Sequence, residues 1–379
     1  MAPDWLSGTF RKVTGFSDPG PEFIQKTNAG NAAMKRDRPD EAEPLFKDAL
    51  KEAEKFGEQD LRRAAAMNNL ATAYREQSKH SEAESFYRQA FAIQEKALGP
   101  EHPEVVAALN KFAEFYRGRG QSAKAEPLLR RVLAAQEKAL GPEHADVIVT
   151  VMALGEAYRD TGKYDKALPL LQRALASQQK AQGQEHLSVA MTLDKLALLY
   201  QAQGKYAEAE PLYLQALAIR EKALGPADPY VGHGLEKLAD VYREQGKYDD
   251  AEKLYLRAIK IWQDTLGPEH PDFAQSLEHF AGLKYAQGKY DEAENLYRKV
   301  MTILENAYGK DHPSRANTMD QYAIVLRTQK KDELAQRVEE RAKEIRGACA
   351  KMAANPEAYA EKPTDPLKDF KFNLPGSKG

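Results

Sequence analysis

DPYVGHGLEKLADVYREQGKYDDAEKLYLRAIKIWQDTLG, residues 228–267, is the stretch that decides the fold of this 379-residue chain. Its first part, Asp228 to Gln245, sets Leu235, Leu238, Ala239 and Tyr242 on one face of a helix. Gly246-Lys247-Tyr248 then breaks the periodicity. A glycine just past a helix end supplies the left-handed backbone that closes it. The second part, Asp249 to Leu266, returns to helical spacing with Ala251, Leu254, Tyr255, Ala258 and Ile259. The small alanines let two helices approach closely, while tyrosine and leucine fill the space between them. The stretch reads as one helix–turn–helix unit.

That unit recurs. Gly57, Gly99, Gly141, Gly183, Gly225, Gly267 and Gly309 follow one another in steps of 42 (99 − 57, and so on). Ala83, Ala125, Ala167, Ala209, Ala251 and Ala293 keep the same step, as do Tyr74, Tyr116, Tyr158, Tyr200 and Tyr242. Ala42 precedes Ala83 by 41, so the first unit is one residue short. Prolines punctuate both helices of the unit. Pro44, Pro127, Pro169 and Pro211 are expected in the first turn of the second helix, and Pro103, Pro229, Pro271 and Pro313 at the start of the first. Both places lack an intrahelical partner for the backbone N–H, which proline does not have.

Leu-Ala-x-x-Tyr, Gly-Lys-Tyr and Ala-Glu-x-Leu-Tyr-x-x-Ala-Leu together resemble the tetratricopeptide repeat. The longer period, with LGPEHP between units, is similar to that of kinesin light chains and kinesin-light-chain-like bacterial arrays. The resemblance implies an all-α, right-handed α-α superhelix of about eight helix pairs. These fall at 22–57, 60–99, 102–141, 144–183, 186–225, 228–267, 270–309 and 312–347. The array 22–347 is flanked by an N-terminal extension, 1–21, and a proline-containing C-terminal tail, 348–379. The outer units depart from the pattern, with Ala29-Gly30-Asn31 in the first and a charged ELAQRVEERAKEIRG in the last, as solvent-facing caps should.

Composition narrows the function. Charged residues are 30% of the chain but nearly cancel, to a formal −2. There is no basic excess or stripe of the kind that nucleic-acid binding requires. The one cysteine, Cys349, excludes an internal disulfide or a cysteine-built zinc site, and is expected beyond the packed repeats. No apolar run suits a signal peptide or a membrane span, so a cytoplasmic protein is expected. His102, His144, His186, His270 and His312 recur every 42 residues, but Asp60 and Asp228 fill the same slot in other units. Histidine and aspartate share the ability to cap a helix N-terminus. Neighbouring repeats about 10 Å apart would not bring ligands to one metal centre. No phosphate loop, nucleophile elbow or metalloprotease motif is present. A non-catalytic chain without cofactor or metal is expected.

Function should then lie in the differences between units along the first helices, which line the inner groove in the family that the repeats resemble. The slot after the column tyrosine holds Arg75, Arg117, Arg159, Gln201 and Arg243, then Tyr285 and Arg327 in the last units. Before Leu-Ala or its equivalent stand Asn68-Asn69, Asn110-Lys111, Asp194-Lys195, Glu236-Lys237, Glu278-His279 and Asp320-Gln321. Asparagine both donates to and accepts from a peptide backbone, and arginine grips a carboxylate with two hydrogen bonds. In kinesin light chains a similar Asn-Asn-Leu-Ala motif contributes to a groove for acidic, tryptophan-containing peptides. That resemblance implies that Asn68, Asn69, Arg75, Asn110, Lys111 and Arg117 bind a protein or peptide partner, an acidic one, with Arg159 and Arg243 continuing the row. The alternative for each arginine is pairing with a nearby acid such as Glu76 or Asp160. A looser resemblance, to the carboxylate-clamp repeats of co-chaperones, adds Asn31 to Asn69 and Lys111, with Thr27 and Ala107 where that family has lysine. Assembly with itself or with a larger complex, through the ends or outer face, stays open as a second role. Near the termini, Trp5, Leu6, Phe10, Val13 and Phe16 suggest a short amphipathic helix, and Phe370 and Phe372 lie in a polar, proline-bearing tail.

Overall fold

The structure, a computed structural model, describes residues 20–354, and the readings placed on Trp5 to Phe16, Phe370 and Phe372 lie outside them. The described residues form 16 helices and no strand. The first helices of successive pairs are α1 (Pro21–Lys35), α3 (Leu61–Glu76), α5 (Pro103–Gly118), α7 (Ala145–Asp160), α9 (Leu187–Ala202), α11 (Pro229–Glu244), α13 (Pro271–Ala286) and α15 (Pro313–Thr328). The second helices are α2 (Pro39–Glu54), α4 (His80–Leu98), α6 (Ser122–Leu140), α8 (Tyr164–Gln182), α10 (Tyr206–Leu224), α12 (Tyr248–Leu266), α14 (Tyr290–Tyr308) and α16 (Asp332–Ala354). The chain divides into two compact units, Met1–Leu170 and Leu171–Gly379. Within the first unit each helix from α1 to α7 packs on the next, and within the second each from α9 to α16 does so.

Capping explains the histidine column. His102 Nδ1 accepts from the Glu104 backbone N–H at 3.3 Å, and His144, His186, His270 and His312 make the same bond at 3.2–3.3 Å. The Asp60 and Asp228 carboxylates take the same place, accepting from Arg62 and Tyr230. The imidazole nitrogen thus holds a backbone donor that the helix leaves unpaired. The turn between the helices of a pair closes by a double hydrogen bond. Lys247 N–H donates to the Tyr242 carbonyl at 2.8 Å and Gly246 N–H to that of Arg243 at 3.0 Å. Gly246 sits at φ 75°, the left-handed region that this closure needs. Where the glycine is missing, Ser78 (φ 60°) and Lys330 (φ 61°) adopt the same conformation against the steric cost of a Cβ.

One expectation about proline needs correction. Pro103, Pro229, Pro271 and Pro313 do occupy the first helical residue. Pro44, Pro127, Pro169 and Pro211, however, lie inside the second helices, just past the first turn, because those helices begin earlier than the first-turn placement needs. The carbonyls four residues back belong to Asp40, Ala123, Asp165 and Ala207, all exposed, so water can serve the acceptors that proline leaves unpaired.

The core follows the columns. Ala83, Ala125, Ala167, Ala209, Ala251 and Ala293 are fully buried, beside Tyr87, Leu129, Leu171, Tyr213 and Tyr255. In the first repeat Gly30 takes the alanine place because the Phe46 ring fills the space: a Cβ on Gly30 would come within 2.4 Å of it. In several repeats the lysine of Gly-Lys-Tyr, or its equivalent, ties the repeat to the one before. Lys79 reaches Glu43 at 2.9 Å, Lys247 reaches Glu210 at 2.8 Å and Lys331 reaches Glu294 at 2.6 Å. Burial alone would raise the Glu43 carboxyl, but hydrogen bonds from Lys47, Lys79 and Gln77 bring it down to about 2. At the far end α16 runs to Ala354, past residue 347 where the repeats were expected to stop. Cys349 is therefore packed, contrary to expectation. It lies against the cluster of Ala316, Met319, Ala342 and Ile345, with Sγ 3.6 Å from the Asp311 carbonyl oxygen.

Candidate functional site

The expected site residues all lie on first helices, and the structure sorts them by whether their polar groups are already taken. The arginines are. Arg75 bonds Glu76 at 2.6 Å and Arg159 bonds Asp160 at 2.7 Å. Arg117 pairs with Glu156 of the following first helix. Arg243 holds Glu244 at 3.0 Å and Asp240 at 3.3 Å. These guanidiniums join neighbouring acids, the alternative reading of the row. Asn68 donates to Gln94 of α4 at 3.2 Å, and Asn110 to Glu114 at 3.0 Å. Asn31, Asn69 and Lys111, by contrast, make no side-chain hydrogen bond or ion pair among the described residues, and Lys111 is exposed.

The register separates Asn31 from the other two. Gly30 holds the place of the buried Ala71 and Ala113, so Asn31 shares its slot with Thr72 and Glu114. The slot of Asn69 and Lys111 is filled in α1 by Asn28, which is exposed and likewise without a side-chain partner among the described residues. Asn28, Asn69 and Lys111 thus form one row on α1, α3 and α5, and Asn31 lies about one turn further along α1. Asn28 was legible in the sequence by counting back 41 from Asn69, the length of the shortened first unit. Thr27, in a slot compared with clamp lysines, is buried, and Ala107 is exposed.

A second regularity links the first helix to its own second helix, 26 residues on, in four of the repeats. Asn68 pairs with Gln94 in the first unit. In the second unit the same two slots hold Asp194 with Arg220 at 2.6 Å, Glu236 with the Trp262 indole N–H at 2.9 Å, and Asp320 with Arg346 at 2.8 Å. Asp194 and Arg220 are both buried, and Lys237 of the next first helix adds a contact to Asp194 at 2.9 Å. Beside this row a partly buried carboxylate organises α11 to α13. Asp240 accepts from the Tyr255 hydroxyl at 2.5 Å, and His279 Nδ1 stands 3.3 Å away. Burial would raise Asp240, but His279, Tyr255 and Arg243 hold it below its ordinary range. Burial would lower His279, but Asp240 and Glu236 hold it above its own. None of Arg220, Trp262 or this pair was singled out from the sequence. The signal for the first two was the 26-residue offset between chemically matched partners; the Asp240–His279 pair depends on packing between repeats.

Compared with known proteins, the chain matches a tetratricopeptide repeat family profile over residues 24–96, 104–180, 146–222, 230–306 and 272–348. No curated protein matches it in sequence. Among solved structures, kinesin-light-chain-type, nearly identical TPR-like repeats from Podosopora anserina are 32% identical, covering 54% of this chain and 96% of that one, with a TM-score of 0.49. A tetratricopeptide repeat protein from Parabacteroides merdae is 18% identical, covering 85% of this chain and 99% of that one, with a TM-score of 0.57. Aspartyl phosphate phosphatase F from Bacillus subtilis is 13% identical, covering 87% and 96%, with a TM-score of 0.56. The last two likenesses are of fold alone, and a fold shared by differently named proteins leaves function to the site.

Proposed function

This chain belongs to the tetratricopeptide repeat family, and from that premise we propose that it is a non-catalytic interaction scaffold which holds a peptide segment of a partner protein along α1, α3 and α5. One observation carries the reading. Asn28, Asn69 and Lys111 stand in the same slot of three successive first helices and have no side-chain partner among the described residues, while the arginines beside them are engaged. Asparagine amides suit the alternating donors and acceptors of a peptide backbone. An exposed lysine without an internal acid favours an acidic side chain in the ligand. Asn68, Arg75, Asn110 and Arg117 serve as the frame that fixes this row. The soluble, cytoplasmic setting expected from composition belongs to the same proposal; among the described residues no helix is long and apolar enough to cross a membrane.

The test is capture of partner proteins by the wild type and by a variant with Asn28→Ala, Asn69→Ala and Lys111→Ala together, compared by quantitative mass spectrometry. The variant is expected to lose the wild-type partner by about a hundredfold, since each of the three lost hydrogen bonds contributes about 1 kcal/mol. Helicity by circular dichroism should be unchanged. Undiminished capture of the same partner by the triple variant would rule out this face.

A further inference from the structure

The seventh repeat, α13 with α14, departs from the sixth, α11 with α12, at two first-helix slots. Glu278 occupies the slot that holds Asp194, Glu236 and Asp320 in its neighbours. Its second-helix partner, 26 residues on, is the buried Leu304 where the others have arginine or tryptophan. The cation that the next first helix gives to Asp194, Lys237, is replaced for Glu278 by Gln321. Glu278 consequently makes no ion pair among the described residues, although it is partly buried.

The second break concerns a tyrosine. Tyr87 and Tyr255 direct their hydroxyls to a first-helix side chain 15 residues earlier, to Thr72 at 3.1 Å and Asp240 at 2.5 Å. For Tyr297 that slot is Gly282, which has no side chain to offer. Tyr297 is 4% exposed, and its hydroxyl makes no hydrogen bond among the described residues. A Cβ on Gly282 would meet one atom within 4 Å, Arg243 Nη1 at 3.3 Å, so the missing side chain leaves a notch walled by that guanidinium. Arg243 is itself paired with Glu244 and Asp240.

We propose that this notch, formed by Glu278, Gly282 and Tyr297, receives the side chain of a lysine from a bound polypeptide. The Glu278 carboxylate supplies the missing half of an ion pair, and the Tyr297 oxygen accepts a further hydrogen bond from the ammonium group. An ammonium is compact and carries three donors, which suits a carboxylate one helical turn from the glycine together with a tyrosine oxygen. Burial holds the Glu278 carboxyl above the ordinary carboxylate range, against the pull of the Thr318 hydroxyl and His279. Burial also pushes the Tyr297 hydroxyl up to about 12, helped by Glu278, so it stays protonated and neutral. The site goes beyond the face of α1, α3 and α5 and has the opposite charge preference.

Fluorescence polarisation at low ionic strength tests it with labelled Gly-Ser peptides carrying a central block of lysines, glutamines or glutamates. The wild type should prefer the lysine peptide. Glu278→Gln, which keeps the shape, should weaken that peptide about tenfold. Gly282→Ala, which fills the notch, should weaken it too, with the thermal midpoint of both variants recorded alongside. The Asn28, Asn69 and Lys111 triple variant should bind the lysine peptide as the wild type does, which keeps this outcome separate from that of the proposed function. No preference for lysine in the wild type, or equal affinity in Glu278→Gln, overturns the assignment.

Discussion

In Met1–Leu170 the slot before Leu-Ala and its second-helix partner are two amides, Asn68 and Gln94. In Leu171–Gly379 the same slots hold ions, Asp194 with Arg220 and Asp320 with Arg346. The 26-residue geometry is common to both, while the chemistry is opposite. Two amides can be buried together at modest cost, whereas a buried ion pair must recover the desolvation of both charges. The repeat therefore dictates where a polar pair stands and leaves its character free. The consequence is two different first-helix faces. The earlier one has amides and a lysine without side-chain partners among the described residues, and the later one has carboxylates, of which Glu278 lacks a cation there.

The comparison can be broken most forcefully at the buried pair. Arg220→Met leaves Asp194 with Lys237 alone and is expected to cost about 3 kcal/mol in urea unfolding. Gln94→Met, the equivalent change in the first unit, should cost about 1 kcal/mol. Converting the later slot to the earlier chemistry, Asp194→Asn with Arg220→Gln, should recover most of the loss. If that double variant is no more stable than Arg220→Met, the two slots are not interchangeable.

Acidity separates the units next. The Glu43 carboxyl is lowered from 4.5 to about 2, so its contribution is complete above 4.5 and disappears as pH falls from there toward 2. Asp240, also lowered, behaves in the same direction. His279 is raised, so its contribution is complete below the ordinary histidine value of 6.5 and is lost as pH climbs through the higher folded value. Amide hydrogen exchange in α11 and α13 should therefore speed up, after correction for intrinsic rates, between neutral and mildly alkaline pH. Exchange in α2 and α3 should not. His279→Gln should abolish the difference, and its persistence there would assign the effect to another group.

The smallest effect concerns what the two units share. Ser78→Gly and Lys330→Gly relieve a left-handed non-glycine residue, one in each unit. Relief of about 1 kcal/mol or more is partly offset by the added freedom of glycine in the unfolded chain, leaving a gain of a few tenths to about 1 kcal/mol in each. A similar rise in both thermal midpoints would show that turn chemistry is common while the faces diverge. A fall in either would mean that Ser78 or Lys330 is held by contacts beyond its backbone angle.

Much of the fold was legible because each repeat states the same local rules again. The capping role of His102 and its siblings followed from Asp60 and Asp228 sharing their slot, and the turns followed from the Gly-Lys-Tyr column. Pro44, Pro127, Pro169 and Pro211 were misplaced because a proline near a helix start does not say how many residues precede it. Cys349 was misjudged because nothing in a charged last repeat shows where its helix stops. The candidate site was legible only as a set of slots. Asn69 and Lys111 were named together with Arg75, Arg117, Arg159 and Arg243, yet the arginines differ from them in having acids within reach. Those acids lie next in sequence, three residues back as Asp240 does for Arg243, or 39 residues ahead as Glu156 does for Arg117, and only packing says which one the guanidinium takes.

By itself the sequence determined the period, the helix pairs, the caps and the buried columns, because all of these depend on neighbours within one repeat and are written again in each. The tertiary structure alone decided which polar groups remain open. Whether Arg243, Glu278 or Tyr297 has a partner depends on side chains from two or three helices meeting in space, and a hydrogen bond or ion pair exists only when both ends arrive within about 3 to 4 Å.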